Sequence, residues 1–236
     1  MLETLRVKIF ADGADKDAML EMHRRWPIRG FTTNPTLMRK ASVANYEAFA
    51  RDVLSAIRDL PVSFEVFSDD FAEMRRQARQ IAAWGPNVYV KIPITNTQRR
   101  SSAPLVHELS AEGIRINVTA VLTLAQVEEI ARSLTGGTPA VVSVFAGRIA
   151  DTGRDPVPLM TQALEMLRPL EHVELLWASP REVLNVVQAD QVGCHIITAT
   201  SDILNKLSLL GKELDEFSLE TVKMFHDDAA KAGYTL

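Results

Sequence analysis

The chain has almost no cysteine: Cys194 is the only one among its 236 residues. A lone thiol cannot close an intrachain disulfide, which fits a reducing compartment, and Cys194 is expected as a small core residue. Long apolar runs are missing too, and none approaches the length of a membrane span. The first sixteen residues, MLETLRVKIFADGADK, lack a signal-peptide profile. Neither sign of charge dominates: 26 basic side chains face 30 acidic ones, a net charge of −4. That balance argues against broad attraction to nucleic acid or a membrane surface and leaves only a local basic patch open. The five histidines, His23, His107, His172, His195 and His226, show no metal-ligand spacing, so no metal is expected. There is no GxGxxG or P-loop pattern, and Gly136-Gly137 is expected to close a helix or turn a loop. Aromatics make up only 6% of the chain, and Trp26, Trp84 and Trp177 are expected as packing residues. A soluble, cytoplasmic protein is the expectation.

What is present is enough apolar material for a sizeable core, 47% hydrophobic beside 24% charged. β-rich runs alternate with helix-like stretches. Strands are expected at Val7–Ala11, Ile28–Phe31, Val62–Val66 and Val88–Pro93, and then at Ile114–Val118, Ala140–Phe145, Val173–Ala178 and His195–Thr198. Between them lie stretches such as NYEAFARDVLSAIRDL and FAEMRRQARQIAAWG, with apolar residues at three- and four-residue spacing. Continuous apolar strands such as AVVSVF suit a parallel sheet covered on both faces. Repeated βα units in a chain near the usual size of roughly 250 residues match a (β/α)₈ TIM barrel, with a doubly wound open sheet as the competing architecture. No linker or low-complexity tract divides the chain, so residues 1–236 read as one barrel domain. Helix continues from Asp202 to about Ala232, more than a closing unit needs, and residues 211–236 read as a C-terminal helical extension suited to subunit contacts.

In such barrels chemistry gathers at the C-terminal strand ends. Those ends carry Asp12, Thr32-Thr33-Asn34, Glu65, Lys91, Asn117 with Thr119, Ser143, Ser179 with Arg181, and Thr198. Lys91 stands out. Strand alternation in VYVKIPI places it with Tyr89, opposite Val88, Val90 and Ile92. Burial disfavours a charged amine, and a neutral amine can attack a carbonyl to form a Schiff base. The competing reading is a lysine that snorkels from the strand end or pairs with Glu65 or Asp12. Asp12 and Glu65 are candidate acid–base groups, or solvated loop carboxylates. Ser179 and Arg181, with Arg148, are candidates for a phosphate clamp; alternatively Ser179 is the N-cap of PREVLNVVQ.

The strings KIFAD, GFTTNPTL, PVSFEV, VKIPIT, AEGIRINVT, SVFAGRI-D and WASPR stand in the order and strand positions of the transaldolase family. From about Val7 to Leu207 the chain resembles its short, single-domain branch, which also holds the fructose-6-phosphate aldolases. The resemblance implies a (β/α)₈ barrel and Schiff-base aldol chemistry with neither metal nor cofactor. By motif it implies Lys91 as the Schiff-base lysine and Asp12 as the acid–base aspartate, with Glu65 and Thr119 ordering a catalytic water. Asn34, Asn117 and Ser143 are implied to hold the hydroxyls of the three-carbon unit, Thr33 and Phe145 to bind substrate, and Arg148, Ser179 and Arg181 to form the phosphate clamp. The reaction implied is transfer of a dihydroxyacetone unit from fructose 6-phosphate or sedoheptulose 7-phosphate to an aldose phosphate, within the pentose phosphate pathway. Small-molecule sugar phosphates are the implied partners, and the implied assembly is a ring-like homo-oligomer, a pentamer or decamer, with C-terminal helices reaching across subunits.

Aldolase-type members resemble the chain except for a glutamine where Glu65 stands and a tyrosine where Phe145 stands, so the pair here is transaldolase-like. Alternatives are a fructose-6-phosphate aldolase, an enzyme of a related anionic ketose, and a silent sugar-phosphate-binding barrel. Three departures from the family pattern bear on substrate: Gly13 after Asp12, Trp177 ahead of ASPR, and a longer loop after Lys91 carrying Arg99-Arg100. That pair is either a contact for a substrate anion or part of a solvated helix-entry loop.

Overall fold

Local side-chain chemistry sets where the helices begin. Asp15, Asn45 and Asp70 each accept a backbone N–H from the first helical turn, starting Lys16–Arg25, Tyr46–Ala56 and Phe71–Ala82. Thr123 and Gln126 form a reciprocal capping box at Leu124–Ser133. Apolar residues at helical spacing then point one face inward: Met74, Ala78 and Ile81 of Phe71–Ala82 are all buried.

The computed structural model describes residues 4–134 and 136–235. Eight strands form a closed parallel barrel in sequence order. They are β1 (Lys8–Asp12), β2 (Ile28–Thr32), β3 (Val62–Glu65), β4 (Val88–Pro93), β5 (Ile116–Val121), β6 (Ala140–Val144), β7 (Val173–Trp177) and β8 (Ile196–Ala199). Helices follow the strands and cover the outside, giving a (β/α)₈ TIM barrel. The doubly wound alternative is excluded because β8 pairs back onto β1.

Alternation divides each strand between two cores. Outward residues such as Val90, Ile92, Ile116, Val118, Val142 and Val144 lie fully buried under the helices, each contributing about 1.5–3 kcal/mol through burial. Inward residues Phe10, Val141, Leu176 and Ile196, with Tyr89 and Phe145 against them, plug the barrel axis. Gly30 of β2 makes room for that plug: a Cβ there would meet the Phe10 ring at 2.4 Å.

Five of the expected strands start where the observed ones do and end within a residue of them, and β1 and β8 are each displaced by one at both ends. The exception is β5, expected at Ile114–Val118. Gly113 adopts a left-handed φ of 80° and the Ile114 N–H returns to Leu109 O at 3.1 Å, so Ile114 ends the preceding helix. Beyond Val118, Ala120 also has a left-handed φ, 61°, and forms a bulge that lets the ladder resume at Val121. Ser179 is not an N-cap, since its helix begins at Leu184 after Val183; Ser179 instead holds a left-handed φ of 61°. Cys194 is buried, and burial pushes its thiol up to about 12. Trp177 is fully buried, while Trp26 and Trp84 pack against the core from its edge.

After β8 come a short helix Ser201–Asn205, a 3₁₀ turn Lys206–Leu209 and the helix Leu214–Ala232. The break falls at Gly211, whose φ is 76°. The last helix buries none of its residues, and Leu214 and Phe225 are 80% and 63% exposed.

Replacing Gly30 by Ala is expected to destabilise the fold by about 1–3 kcal/mol through overpacking against Phe10, read as a lower urea midpoint. An unchanged midpoint would mean that the Phe10 ring has room to swing aside.

Candidate active site

Inward alternation delivers polar side chains to one end of the barrel. Asp12, Thr32, Glu65, Lys91 and Thr119 stand at the C-terminal ends of β1 to β5, and Ser143 and Thr198 on β6 and β8. Together they line a cavity of about 700 Å³, within the range usual for small-molecule sites. Asn34, Phe145, Arg148, Ser179 and Arg181 line the same cavity. Thr33 and Asn117 do not: both are fully buried.

Lys91 is the centre of the constellation. It is 6% exposed; its Nζ lies 3.2 Å from Glu65 Oε2 and donates to Thr33 O at 2.8 Å. The parallel ladder sets Glu65, Lys91 and Asn117 side by side on three adjacent strands, so carboxylate and amine meet without loop adjustment. Asn117 in turn links two serines: Ser143 Oγ donates to Asn117 Oδ1 at 2.6 Å, and Asn117 Nδ2 donates to Ser63 Oγ at 3.2 Å. Thr119 lines the same cavity as Glu65, and its Oγ1 is buried with no hydrogen-bond partner among the described residues.

Asp12 faces this group from β1. Its Oδ1 accepts from Thr32 Oγ1 at 2.8 Å, and Thr32 Oγ1 lies 2.6 Å from Thr198 Oγ1. Burial raises the Asp12 carboxyl above the ordinary carboxylate range; the Lys91 charge and the Thr32 hydrogen bond oppose that, and Glu65 adds to it. Asn34 accepts the Leu37 N–H at 3.0 Å, capping the short helix Pro35–Lys40, whose Lys40 also reaches the cavity wall.

On the far side, the loops after β6 and β7 touch. A Cβ at Gly147 would lie 1.5 Å from Ser179 O, so only glycine allows this approach. The contact brings Arg148 and Arg181 to one corner of the cavity. The Arg148 guanidinium lies over the Phe145 ring, 5.7 Å from its centroid. Arg181 grips Asp151 with two parallel bonds, Nε to Oδ1 at 2.9 Å and Nη2 to Oδ2. That grip holds the Asp151 carboxyl below the ordinary carboxylate range.

Arg99 and Arg100 are not part of the cavity wall. Asn96 Oδ1 accepts the N–H groups of Gln98 and Arg100 at 3.1 and 3.0 Å, and Asp69 takes both Thr97 donors at 2.7 Å. Arg100 lies over the Phe71 ring. The loop thus folds against the segment after β3, as a helix-entry loop. Among the described residues, no cluster of His, Cys, Asp or Glu is arranged to hold a metal ion, and no helix is long and apolar enough to cross a membrane.

Sequence reasoning missed Ser63, Lys40, Asp151 and Tyr46. Ser63 was reachable, because it shares the inward face of β3 with Glu65. Tyr46 was not, because it lies on a helix and nothing in its local pattern points to the barrel mouth.

The profile of the transaldolase/fructose-6-phosphate aldolase family matches residues 9–236. The chain belongs to this family. A probable transaldolase of Dehalococcoides mccartyi is 32% identical over 202 residues, 85% of this chain and 90% of that protein. One from Thermoanaerobacter sp. is 33% identical over 228 residues, 96% and 99% of the two chains. Among solved structures, 2,3-dimethylmalate lyase, a PEP mutase/isocitrate lyase superfamily member, aligns with a TM-score of 0.56 at 12% identity, over 99% of this chain and 86% of that one. That likeness concerns the barrel fold alone. Membership makes the chain an enzyme of the transaldolase family, with the cavity at the barrel mouth as its candidate active site.

The raised Asp12 carboxyl has a measurable consequence. Its folded form binds a proton more tightly than the unfolded chain, whose ordinary value is 3.8, so its contribution to stability is full below that value and is lost as pH rises through the folded pKa. Asp12→Asn removes the buried charge while keeping an acceptor for Thr32. The variant is expected to be more stable than the unaltered protein at neutral pH, with the gain vanishing toward pH 3.8, measured as urea midpoints across pH. A gain that persisted in acid would attribute it to something other than the Asp12 charge.

Proposed function

We propose that this protein is a transaldolase that moves a dihydroxyacetone unit between sugar phosphates through a Schiff base on Lys91. The observation that carries the reading is the buried Lys91 amine, 3.2 Å from Glu65, in one cavity with Asp12. A carboxylate at that distance can take the ammonium proton and leave a nucleophilic amine in an apolar strand. Lys91 Nζ then attacks the ketose C2 carbonyl. Glu65, through a water held with Thr119, moves the protons by which the carbinolamine loses water to become an iminium. The unpartnered Thr119 hydroxyl supports that assignment. Asp12 takes the C4 hydroxyl proton as the C3–C4 bond breaks, and a carboxyl with a raised pKa suits a group that must both accept and return a proton. The aldose leaves and the iminium nitrogen holds the electron pair as an enamine. An incoming aldose phosphate captures it at its carbonyl carbon while Asp12 returns the proton to the new hydroxyl. Water hydrolyses the resulting iminium to release the product ketose and free Lys91.

The remaining residues are read as holding the substrate. Asn34 and Ser143 face the three-carbon unit, supported by Thr33 and Asn117. Ser179, Arg148 and Arg181 form the corner that takes the phosphate, where two guanidiniums and a strained serine converge. Phe145 on the cavity wall supports transfer over aldol cleavage, because its ring brings no proton donor or water anchor to the enamine.

The whole chain is read as one cytoplasmic barrel domain that assembles into a ring, a pentamer or decamer, through the exposed helix Leu214–Ala232. An exposed run with Phe217, Val222 and Phe225 supports burial against a neighbouring subunit.

The deciding experiment is intact-protein mass spectrometry after borohydride reduction with fructose 6-phosphate. A three-carbon adduct on the unaltered protein, absent from Lys91→Ala, is the expected result. No adduct with any ketose phosphate would overturn the reading, and free dihydroxyacetone released without an acceptor would favour the aldolase. Separately, deleting residues 213–236 is expected to reduce the assembly to smaller species by light scattering; an unchanged particle would place the contacts on the barrel itself.

A further inference from the structure

The seam between β2 and β3 opens at the cavity. The two strands pair only at Phe31–Val62 and Thr32–Ser63; the Phe31 N–H donates to Pro61 O at 2.8 Å at the far end, and toward the cavity the Thr33 N–H donates to Ser63 O at 3.1 Å. In a parallel ladder the next rung would join the Glu65 N–H to the Thr33 carbonyl. That rung is absent. The Thr33 carbonyl accepts from Lys91 Nζ instead, at 2.8 Å. The Glu65 N–H donates to Tyr46 Oη at 2.8 Å, and Tyr46 Oη donates to the Glu65 carbonyl at 2.9 Å. One hydroxyl thus satisfies both main-chain groups of Glu65, which would otherwise be left without partners where the seam opens.

We propose that Tyr46 is a positioning residue: its hydroxyl replaces the missing rung, leaving the Thr33 carbonyl for Lys91 and fixing Glu65 beside the amine. This rests on the reading of Lys91 and Glu65 as reacting groups. Tyr46 is the first residue of its helix, and the Asn45 cap, accepting the Ala48 N–H at 2.9 Å, anchors that end. Its ring packs edge-on against Phe64 and Phe67 and tilted against Trp84. A phenylalanine would keep those contacts, so the hydroxyl is the part that packing does not explain. Burial raises the phenol pKa above its ordinary value, so the hydroxyl stays protonated and keeps donating to the Glu65 carbonyl.

The test compares Tyr46→Phe with Trp84→Phe, which weakens the same aromatic cluster but leaves the hydroxyl. For Tyr46→Phe, kcat is expected to fall about tenfold with the donor KM within about twofold. Its crystal structure is expected to show Lys91 drawn away from the Thr33 carbonyl or from Glu65. Trp84→Phe is expected to lower the melting temperature while kcat stays within about twofold. The proposal is overturned if Tyr46→Phe keeps kcat within that range or keeps both Lys91 contacts. It is equally overturned if Trp84→Phe lowers kcat as far. Failure of borohydride trapping on the unaltered protein would count against the reaction assigned above, and the crystallographic comparison would still decide the positioning role.

Discussion

An amine buried inside a parallel β-barrel must be compensated on the spot, because a desolvated ammonium without partners costs several kcal/mol. Lys91 finds compensation in two places, the Glu65 carboxylate and the Thr33 carbonyl. Each has a structural consequence. A carbonyl turned to the lysine is a carbonyl withdrawn from the sheet, so the β2–β3 ladder stops short of Glu65. Closure of the ring sets Asp12 across from the amine, and the fixed row of Glu65, Lys91 and Asn117 carries polar side chains into the barrel. Asn117, Ser63 and Ser143 satisfy one another there, so that network does not depend on solvent.

Two residues of the cavity wall, on β5 and after β7, hold strained backbone. Ser179 and Ala120 both hold left-handed conformations, which cost non-glycine residues free energy. Both lie directly after residues that face the cavity end of the barrel. The near-contact of Gly147 with Ser179 O ties the β6 and β7 loops together, and Arg181 is held further by Asp151. The two arginines are therefore presented at the cavity on fixed backbone.

Much of the site was legible because period-two alternation is a local property. Reading inward positions from VYVKIPI or SVFAGRI places Lys91 and Ser143 on the barrel axis without knowledge of any partner. The same reasoning failed at β5, where a helix-ending Gly113 and a bulge at Ala120 displaced both boundaries. It also failed to choose between the two readings of Arg99-Arg100, since exposure depends on the segment the loop folds against. Thr33 and Asn117 were expected around the substrate by resemblance; both are fully buried off the cavity lining, Thr33 with its hydroxyl on the Ser63 carbonyl and Asn117 between Ser143 and Ser63.

The repeated βα pattern, the face of the strand residues outside the β5 bulge and the polar character of the strand ends follow from the amino-acid order alone. These follow from side-chain type and spacing along a few residues. It took the folded barrel to bring Lys91 to the Thr33 carbonyl 58 residues away and the Tyr46 hydroxyl to the Glu65 backbone across 19. Folding likewise brings Arg181 to Asp151 across 30. Such contacts depend on closure of the ring and on the packing angle of each helix, and these are global properties of the folded chain.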